Sequence, residues 1–290
     1  MLVNVRGYVE LVRPPNVVTA VADVLAGYAV AGLANDRLLL WLMGATACLY
    51  AGGAALNDFF DRCVDAVERP ERPIPSGRTP AAGAAALGTV LLAGGVVAAS
   101  CATREAGLLA GAIAALAFVY DGWGKRQPAI GPVNMGLCRA LNLMLGVAAV
   151  PAALAGAWPL ALVPLVYIAA VTRLSRGEVH GGTRGVARFA LISLGVVLVA
   201  LTAMTLLPAR RSWTGLILVV LLAWRVWPPF WSAYRVPGPG AIRNAVKVGV
   251  LSLVLVDAVI GAAYAGALYG AAILATALVA AALARLFSVT

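Results

Sequence analysis

The chain consists mainly of long apolar runs separated by short polar segments. A helix needs about 20 mostly apolar residues to cross a bilayer, and ten stretches approach that length. The stretch 106–120 is short, and only a weak Gly/Tyr segment near residues 264–270 divides the last two, so the pattern predicts nine or ten spans. The candidate spans are 16–34, 38–56, 80–100, 106–120, 129–152, 157–172, 187–207, 213–231, 246–264 and 267–286.

Composition favours an integral membrane protein. Hydrophobic residues make up 62% of the chain and charged residues only 12%, whereas soluble domains have about 45–50% and 25%. We therefore expect an all-α helical bundle forming a single transmembrane domain over residues 1–290. The formal charge of +10 lies in short segments between apolar runs, which argues against nucleic-acid binding. The four cysteines are far apart and accompanied by one histidine, so neither a zinc site nor a disulfide framework is predicted.

The basic residues divide unequally between the two sides of the predicted bundle. Alternating the spans places 17 Lys and Arg on one side and four on the other, with Arg139 inside a span. Cytoplasmic loops carry the excess of basic residues, so we predict an even number of spans with both termini in the cytoplasm, in the plasma (inner) membrane. The segments 57–79, 121–128, 173–186 and 232–245 hold most of the polar residues, which predicts a functional site at the cytoplasmic face.

A row of oxygen-bearing side chains follows the second span. If that helix continues past Leu56, Asn57, Asp61 and Asp65 lie at steps of four residues along one face. Such a row at a membrane boundary is costly unless a cation compensates it, and Mg²⁺ prefers oxygen ligands. The alternative is a solvated helix end paired with Arg62 and Arg69.

The segment from Asn57 to Gly77 resembles the first aspartate motif of the UbiA-type membrane prenyltransferases: an Asn, two Asp at four-residue steps, then an Arg-Pro…Ser-Gly turn. Tyr120, Lys125-Arg126, Gly131 and Asn134 are similar to the family's tyrosine and lysine after its fourth span. The opening Arg13-Pro14-Pro15-Asn16 also resembles the family's start. These landmarks occur in the family's order across the first six spans.

The resemblance implies a bundle around a central cavity, in which Mg²⁺ and the diphosphate of an isoprenyl donor are held by acidic motifs. Loss of diphosphate would create an allylic cation that alkylates an aromatic or other small nucleophilic acceptor. Asn57, Asp61 and Asp65 are then the metal ligands, with Asp61, Asp65 and Lys125 in catalytic roles. The implied substrate contacts are made by Asn16, Arg72, Tyr120, Arg126 and Glu178. Arg139 and Asn142 lie three residues apart on one helix face, where they either reach an acceptor's carboxylate or hydroxyl or serve helix packing.

The chain departs from the family pattern after the sixth span. Where the family has a second pair of aspartates, residues 172–182 offer only Glu178 as an acid, with Leu174 four residues before it. Together with the Leu-Ser-Arg-Gly-Glu-Val run and the Thr-Ala-Val-Ala-Asp-Val-Leu-Ala-Gly run of the first span, this resembles the EboC-like branch of the superfamily.

Two further hypotheses stand beside the enzyme. A non-catalytic relative would bind or transport a prenylated or polyprenyl-phosphate lipid, having lost ionising power with its second motif. An ion-coupled transporter fits the hydropathy but not the chemistry of residues 57–77, and the sequence shows no repeat. Asp23 and Asp257 lie inside predicted spans, where Arg139 is a candidate partner; a structural pairing and a substrate role are equally open.

Overall fold

The computed structural model describes residues 5–210 and 212–287, and every regular element in those ranges is helical. Two short 3₁₀-helices, Gly124–Arg126 and Pro151–Ala153, lie among the α-helices. The α-helices are α1 Val5–Leu11, α2 Pro14–Val30, α3 Asp36–Glu68, α4 Ala81–Ala102, α5 Arg104–Gly122, α6 Ile130–Val147, α7 Leu154–Ser175, α8 Arg184–Leu206, α9 Trp213–Arg235, α10 Pro239–Ala265 and α11 Ala267–Leu283.

The sequence marks several helix ends by capping. The side chains of Asn35, Thr103, Thr183 and Ser212 each accept a hydrogen bond from a backbone N–H in the first turn of α3, α5, α8 and α9. Gly266 separates α10 from α11 with a φ of 88°, a backbone conformation that glycine adopts without strain. The weak Gly/Tyr segment is therefore a true helix boundary.

The ten long helices, α2 to α11, lie on the ten predicted apolar segments, which confirms an all-helical membrane bundle. Eight of them are long and apolar enough to cross a bilayer, whereas α2 and α11 have 17 residues each. The short candidate at 106–120 is a full helix of 19 residues. Arg211, one of the basic residues assigned to the sparsely charged side, lies outside the described residues.

The polar connecting segments meet at one end of the bundle, here called the polar end. Residues 69–79 and 123–129, the start of α2 and the C-terminal part of α3 are joined there by ion pairs. Arg176 donates to the backbone oxygen of Lys125 at 2.9 Å, which brings the segment after α7 to the same end. At the opposite end the helices are joined by single hydrogen bonds, such as the one that Thr103 Oγ1 at the start of α5 donates to the Ala148 oxygen after α6, at 3.0 Å.

Two large apolar cores fill most of the bundle. One lies among α6 to α11, with part of α2, around the buried Tyr167 and Phe230, and the other lies among α2 to α6. Helices α2 and α6 touch through Gly27 and Gly146: a Cβ at Gly27 would overlap the Leu143 oxygen, and one at Gly146 would overlap the Val24 oxygen. Small residues allow this approach, as is common in membrane helix packing. The contact fixes α2 against α6 beside the central cavity.

Candidate functional site

The acidic row lies on an unbroken helix, because α3 continues past Leu56 to Glu68. Its first two members face the C-terminal end of α5. Asn57 Nδ2 donates to Asp121 Oδ1 at 2.7 Å, and Lys125 Nζ lies 2.7 Å from Asp61 Oδ1 and 3.9 Å from Asp121 Oδ1. Asn57, Asp61, Asp121 and Lys125 therefore form one polar group, to which α3 and α5 each contribute carboxylate oxygens.

A second polar group joins α3 to the start of α2 and to the segment 69–79. Asp58 Oδ1 accepts from Arg13 at 2.5 Å and from Arg72 at 2.9 Å, and Arg72 also reaches Asp65 Oδ2 at 3.1 Å. Arg13 adopts a left-handed backbone, with a φ of 48°. Such a conformation is costly outside glycine and is retained only where surrounding contacts hold it, which here are Asp58 and, at 3.3 Å, Asn57.

The three row residues thus contact different partners. Each step of four residues turns the helix about 40° beyond a full rotation, so Asp65 is rotated about 80° from Asn57. This rotation directs Asp65 to Arg72, while Asn57 and Asp61 face Asp121 and Lys125. Arg62, one of the two arginines of the alternative pairing, is exposed and donates instead to the Phe59 oxygen at 2.8 Å.

The charges of the two groups do not cancel. Four carboxyl groups, those of Asp58, Asp61, Asp65 and Asp121, are in contact with three basic side chains, those of Arg13, Arg72 and Lys125. The excess of one negative charge and the oxygen donors suit a hard cation. Within the described residues, no three His, Cys, Asp or Glu side chains form a metal-binding group. Mg²⁺ commonly takes one or two carboxylates and completes its shell with water and substrate phosphates, so the residues present fit it.

A cavity of about 190 Å³ opens beside these groups and extends between α2, α3, α5 and α6. Arg13, Asn57, Tyr120 and Asp121 line its mouth, and small or apolar residues such as Gly53 and Ala117 line its middle. Thr46 and Asn57, both lining residues on α3, are separated by about 16 Å along the helix at 1.5 Å per residue. The cavity therefore runs from the polar end into the apolar part of the bundle.

The inner end of the cavity is polar. Arg139 Nη1 donates to Asp23 Oδ2 at 2.8 Å, which confirms Arg139 as the partner of Asp23. Asn142 Nδ2 donates to the same oxygen at 2.8 Å, and its Oδ1 accepts from Thr46 at 2.6 Å. Asp23 is fully buried. Arg139 and Asn142, the candidates for either an acceptor contact or helix packing, line the cavity while binding Asp23.

The other predicted substrate residues are dispersed. Asn16 is buried in the first turn of α2, Arg126 is exposed, and Tyr120 lines the cavity mouth. Glu178 lies in a different recess, shared with Arg69 and Arg243. Burial raises the pKa of the Glu178 carboxyl, and the two arginines oppose that rise only in part. Glu178 therefore does not line the cavity with Asn57, and it shares its recess with Arg72 of the second polar group.

The sequence predicted no role for three residues of the site, Arg13, Asp58 and Asp121. Arg13 and Asp58 stand inside the quoted motifs, and Asp121 directly follows Tyr120. The signal for Asp121 is its spacing of four residues from Lys125, which is typical of an acid and base pair on one helical face, although α5 ends between the two at Gly122. For Arg13 no local signal exists, because its partner Asp58 is 45 residues away.

Comparisons with known proteins agree with this architecture. Residues 17–243 match the UbiA prenyltransferase family. Digeranylgeranylglyceryl phosphate synthase of Methanopyrus kandleri is 31% identical over 273 residues, which cover 85% of this chain and 96% of that protein. The fold is similar to a UbiA homolog from Aeropyrum pernix K1, with a TM-score of 0.71 and 15% identity over 84% of this chain and 96% of that one. It is also similar to a UbiA homolog from Archaeoglobus fulgidus bound to GPP and Mg²⁺, with a TM-score of 0.62 and 14% identity over 93% and 99%.

Proposed function

Because this chain belongs to the UbiA prenyltransferase family, we propose that it is a Mg²⁺-dependent enzyme that transfers an isoprenyl group from an isoprenyl diphosphate to a nucleophilic acceptor. The observation that carries the proposal is the position of the Asn57, Asp61, Asp121 and Lys125 group at the mouth of an apolar cavity. The mouth offers a charged site for a diphosphate, and the apolar wall beside it would contact the reactive end of the attached chain.

Each side chain has a role that its contacts support. Asn57 and Asp61 are the proposed metal ligands, with Asp121 as an added oxygen donor beside Asn57. Asp65 is the third proposed ligand; it contacts Arg72 in the structure, so its oxygen is free for a metal only when Arg72 turns to the diphosphate. Bound Mg²⁺ would stabilise the negative charge of the departing diphosphate. Lys125, Arg72 and Arg13 already contact carboxylates and supply further positive charge to that group. Tyr120 at the mouth supplies a hydroxyl donor, and the apolar wall excludes water from the reactive carbon.

The acceptor is proposed only as a class of nucleophile. The Methanopyrus relative is named for the synthesis of digeranylgeranylglyceryl phosphate, which suggests a hydroxyl nucleophile. An aromatic acceptor is equally compatible with a cavity of 190 Å³, since cavities of about 150 Å³ bind benzene.

A release assay tests the proposal. Purified protein with Mg²⁺ and GPP is expected to release diphosphate, and Asp61→Asn is expected to lower the rate at least about 100-fold, the usual cost of one charge-stabilising group. Asp36→Asn is the matched control, because Asp36 lies on the same helix at the opposite end. An Asp61→Asn rate equal to that of Asp36→Asn contradicts the proposal.

A second candidate is a non-catalytic protein that binds or transports a prenylated lipid. The separate position of Glu178 favours it, since the one acid of residues 172–182 lies in another recess. Wild-type protein that binds GPP with Mg²⁺ but releases no diphosphate would support this candidate.

We further propose that the polar end faces the cytoplasm of a plasma membrane, since basic residues concentrate there. Cys63 at the polar end and Cys101 at the opposite end are both exposed free thiols. A membrane-impermeant maleimide applied to intact cells is expected to label Cys101 first and Cys63 only after permeabilisation. The reverse order contradicts the orientation.

A further inference from the structure

A guanidinium lies deep in the apolar part of the bundle, facing the cavity. Arg139 donates to Asp23 and, at 3.0 Å, to Thr19 Oγ1, and its guanidinium lies 5.0 Å from the centre of the Tyr50 ring. These bonds use two of the five N–H groups of an arginine. Tyr50 is seven residues from Asn57, which is about 10 Å along α3. The Arg139 guanidinium therefore lies about 10 Å from the cavity mouth, a distance that a molecule with one aromatic ring and a short side chain can span.

A second carboxyl group completes this inner region. Asp257 on α10 is 1% exposed and lies against Asp23, close enough to interact with Arg139 as well. Among the described residues, no donor reaches Asp23 Oδ1 or either oxygen of Asp257. Buried polar oxygens without donors are costly. A single proton between the two carboxyl groups removes most of that cost, because a protonated Asp257 donates to Asp23 Oδ1. The two aspartates then carry one negative charge, which balances Arg139.

We infer that the inner end of the cavity is a subsite for an uncharged, oxygen-bearing part of the acceptor, such as a phenolic hydroxyl or a carbonyl. Arg139 donates the hydrogen bond, and Asp23 and Asp257 are positioning residues that also cancel its charge. The inference rests on the proposed function and names its acceptor class. A neutral oxygen gains a donor there, whereas an anion loses its hydration without meeting net positive charge.

Equilibrium binding of two small probes tests this inference without the reaction. The probes are 4-methylphenol and 4-methylbenzoate, which share one ring and differ in charge, added to protein in lipid nanodiscs without Mg²⁺ or GPP. Wild-type protein is expected to bind the phenol at least about tenfold more tightly, equal to 1.4 kcal/mol.

The aspartate variants separate a shared charge from a purely structural role. Asp257→Asn is expected to keep the phenol preference, because its amide donates to Asp23 and Asp23 keeps the charge. Asp23→Asn is expected to keep it as well, because the charge then resides on Asp257. The double variant Asp23→Asn/Asp257→Asn leaves Arg139 unbalanced and is expected to shift the preference toward the benzoate by at least about tenfold.

Several results overturn the inference: no binding of either probe to wild type, a wild-type preference for the benzoate, or a double variant that still prefers the phenol. If the double variant does not fold, Asp23→Asn decides, since a shift to the benzoate in that single variant contradicts a shared charge. Asp61→Asn is expected to bind the phenol normally while losing diphosphate release. Phenol preference in a wild type that releases no diphosphate leaves the subsite standing and the proposed transferase activity refuted.

Discussion

The mouth and the inner end of the cavity are both built from arginine and carboxylate pairs, but they differ in how those pairs are held. At the mouth, Arg72 and Lys125 belong to connecting segments, and Lys125 and Asp61 are 15% and 28% exposed. At the inner end, Arg139 and Asp23 lie on helices and are 7% and 0% exposed. The basic side chains at the mouth can exchange their carboxylate partners for a bound anion. Those at the inner end are fixed by packing and have few alternative partners.

The largest expected effect breaks the inner pair. Arg139→Leu removes the only cation that contacts the buried carboxylate of Asp23 among the described residues, and the free energy of unfolding is expected to fall by about 3 kcal/mol, as for other broken buried pairs. Lys125→Met is the matched variant at the mouth, where partly exposed pairs contribute up to about 1 kcal/mol. Thermal unfolding in detergent measures both. Equal losses of unfolding free energy in the two variants would contradict the proposed difference between the mouth and the inner end.

A smaller effect is expected from the helix contact that supports the inner end. In Gly27→Ala the new methyl group overlaps the Leu143 oxygen, so α2 and α6 must separate, at a cost of about 1–3 kcal/mol for overpacking. Gly44→Ala on α3 is the control, because no atom of the described residues would lie within 4 Å of its added carbon. There the substitution is expected to be neutral or slightly stabilising. A Gly27→Ala variant as stable as Gly44→Ala would show that this contact is not rigid.

Local sequence patterns predicted the helices and part of the site. The apolar runs identified all ten long helices, and the spacing of Asn57, Asp61 and Asp65 identified the helical segment that carries the mouth. The inner pair of Asp23 and Arg139 was predicted because a charge inside a span requires a partner. Asp61, Asp65 and the other assigned residues remain predictions as to their chemical roles, as do the single domain over residues 1–290 and the EboC-like branch.

Contacts between distant helices were beyond the sequence patterns. Asp58 appears as one more polar residue in the motif, and only the folded chain brings Arg13 and Arg72 to the same oxygen. Similarly, Asp257 is 234 residues from Asp23, and no periodicity within α10 indicates that the two carboxyl groups meet. The rotation of Asp65 away from Asn57 is a geometric property of the helix, but its partner depends on the path of residues 69–79.

The length of α3 has a consequence for how substrates arrive. Its 33 residues extend about 50 Å at 1.5 Å per residue, whereas the hydrocarbon layer is about 30 Å thick. Because α3 begins at the opposite end, about 20 Å of its C-terminal part rises to the level of the lipid headgroups. The acidic residues therefore lie at the water boundary, where the charged head of an amphiphilic substrate would stay hydrated while its tail remained in the lipid.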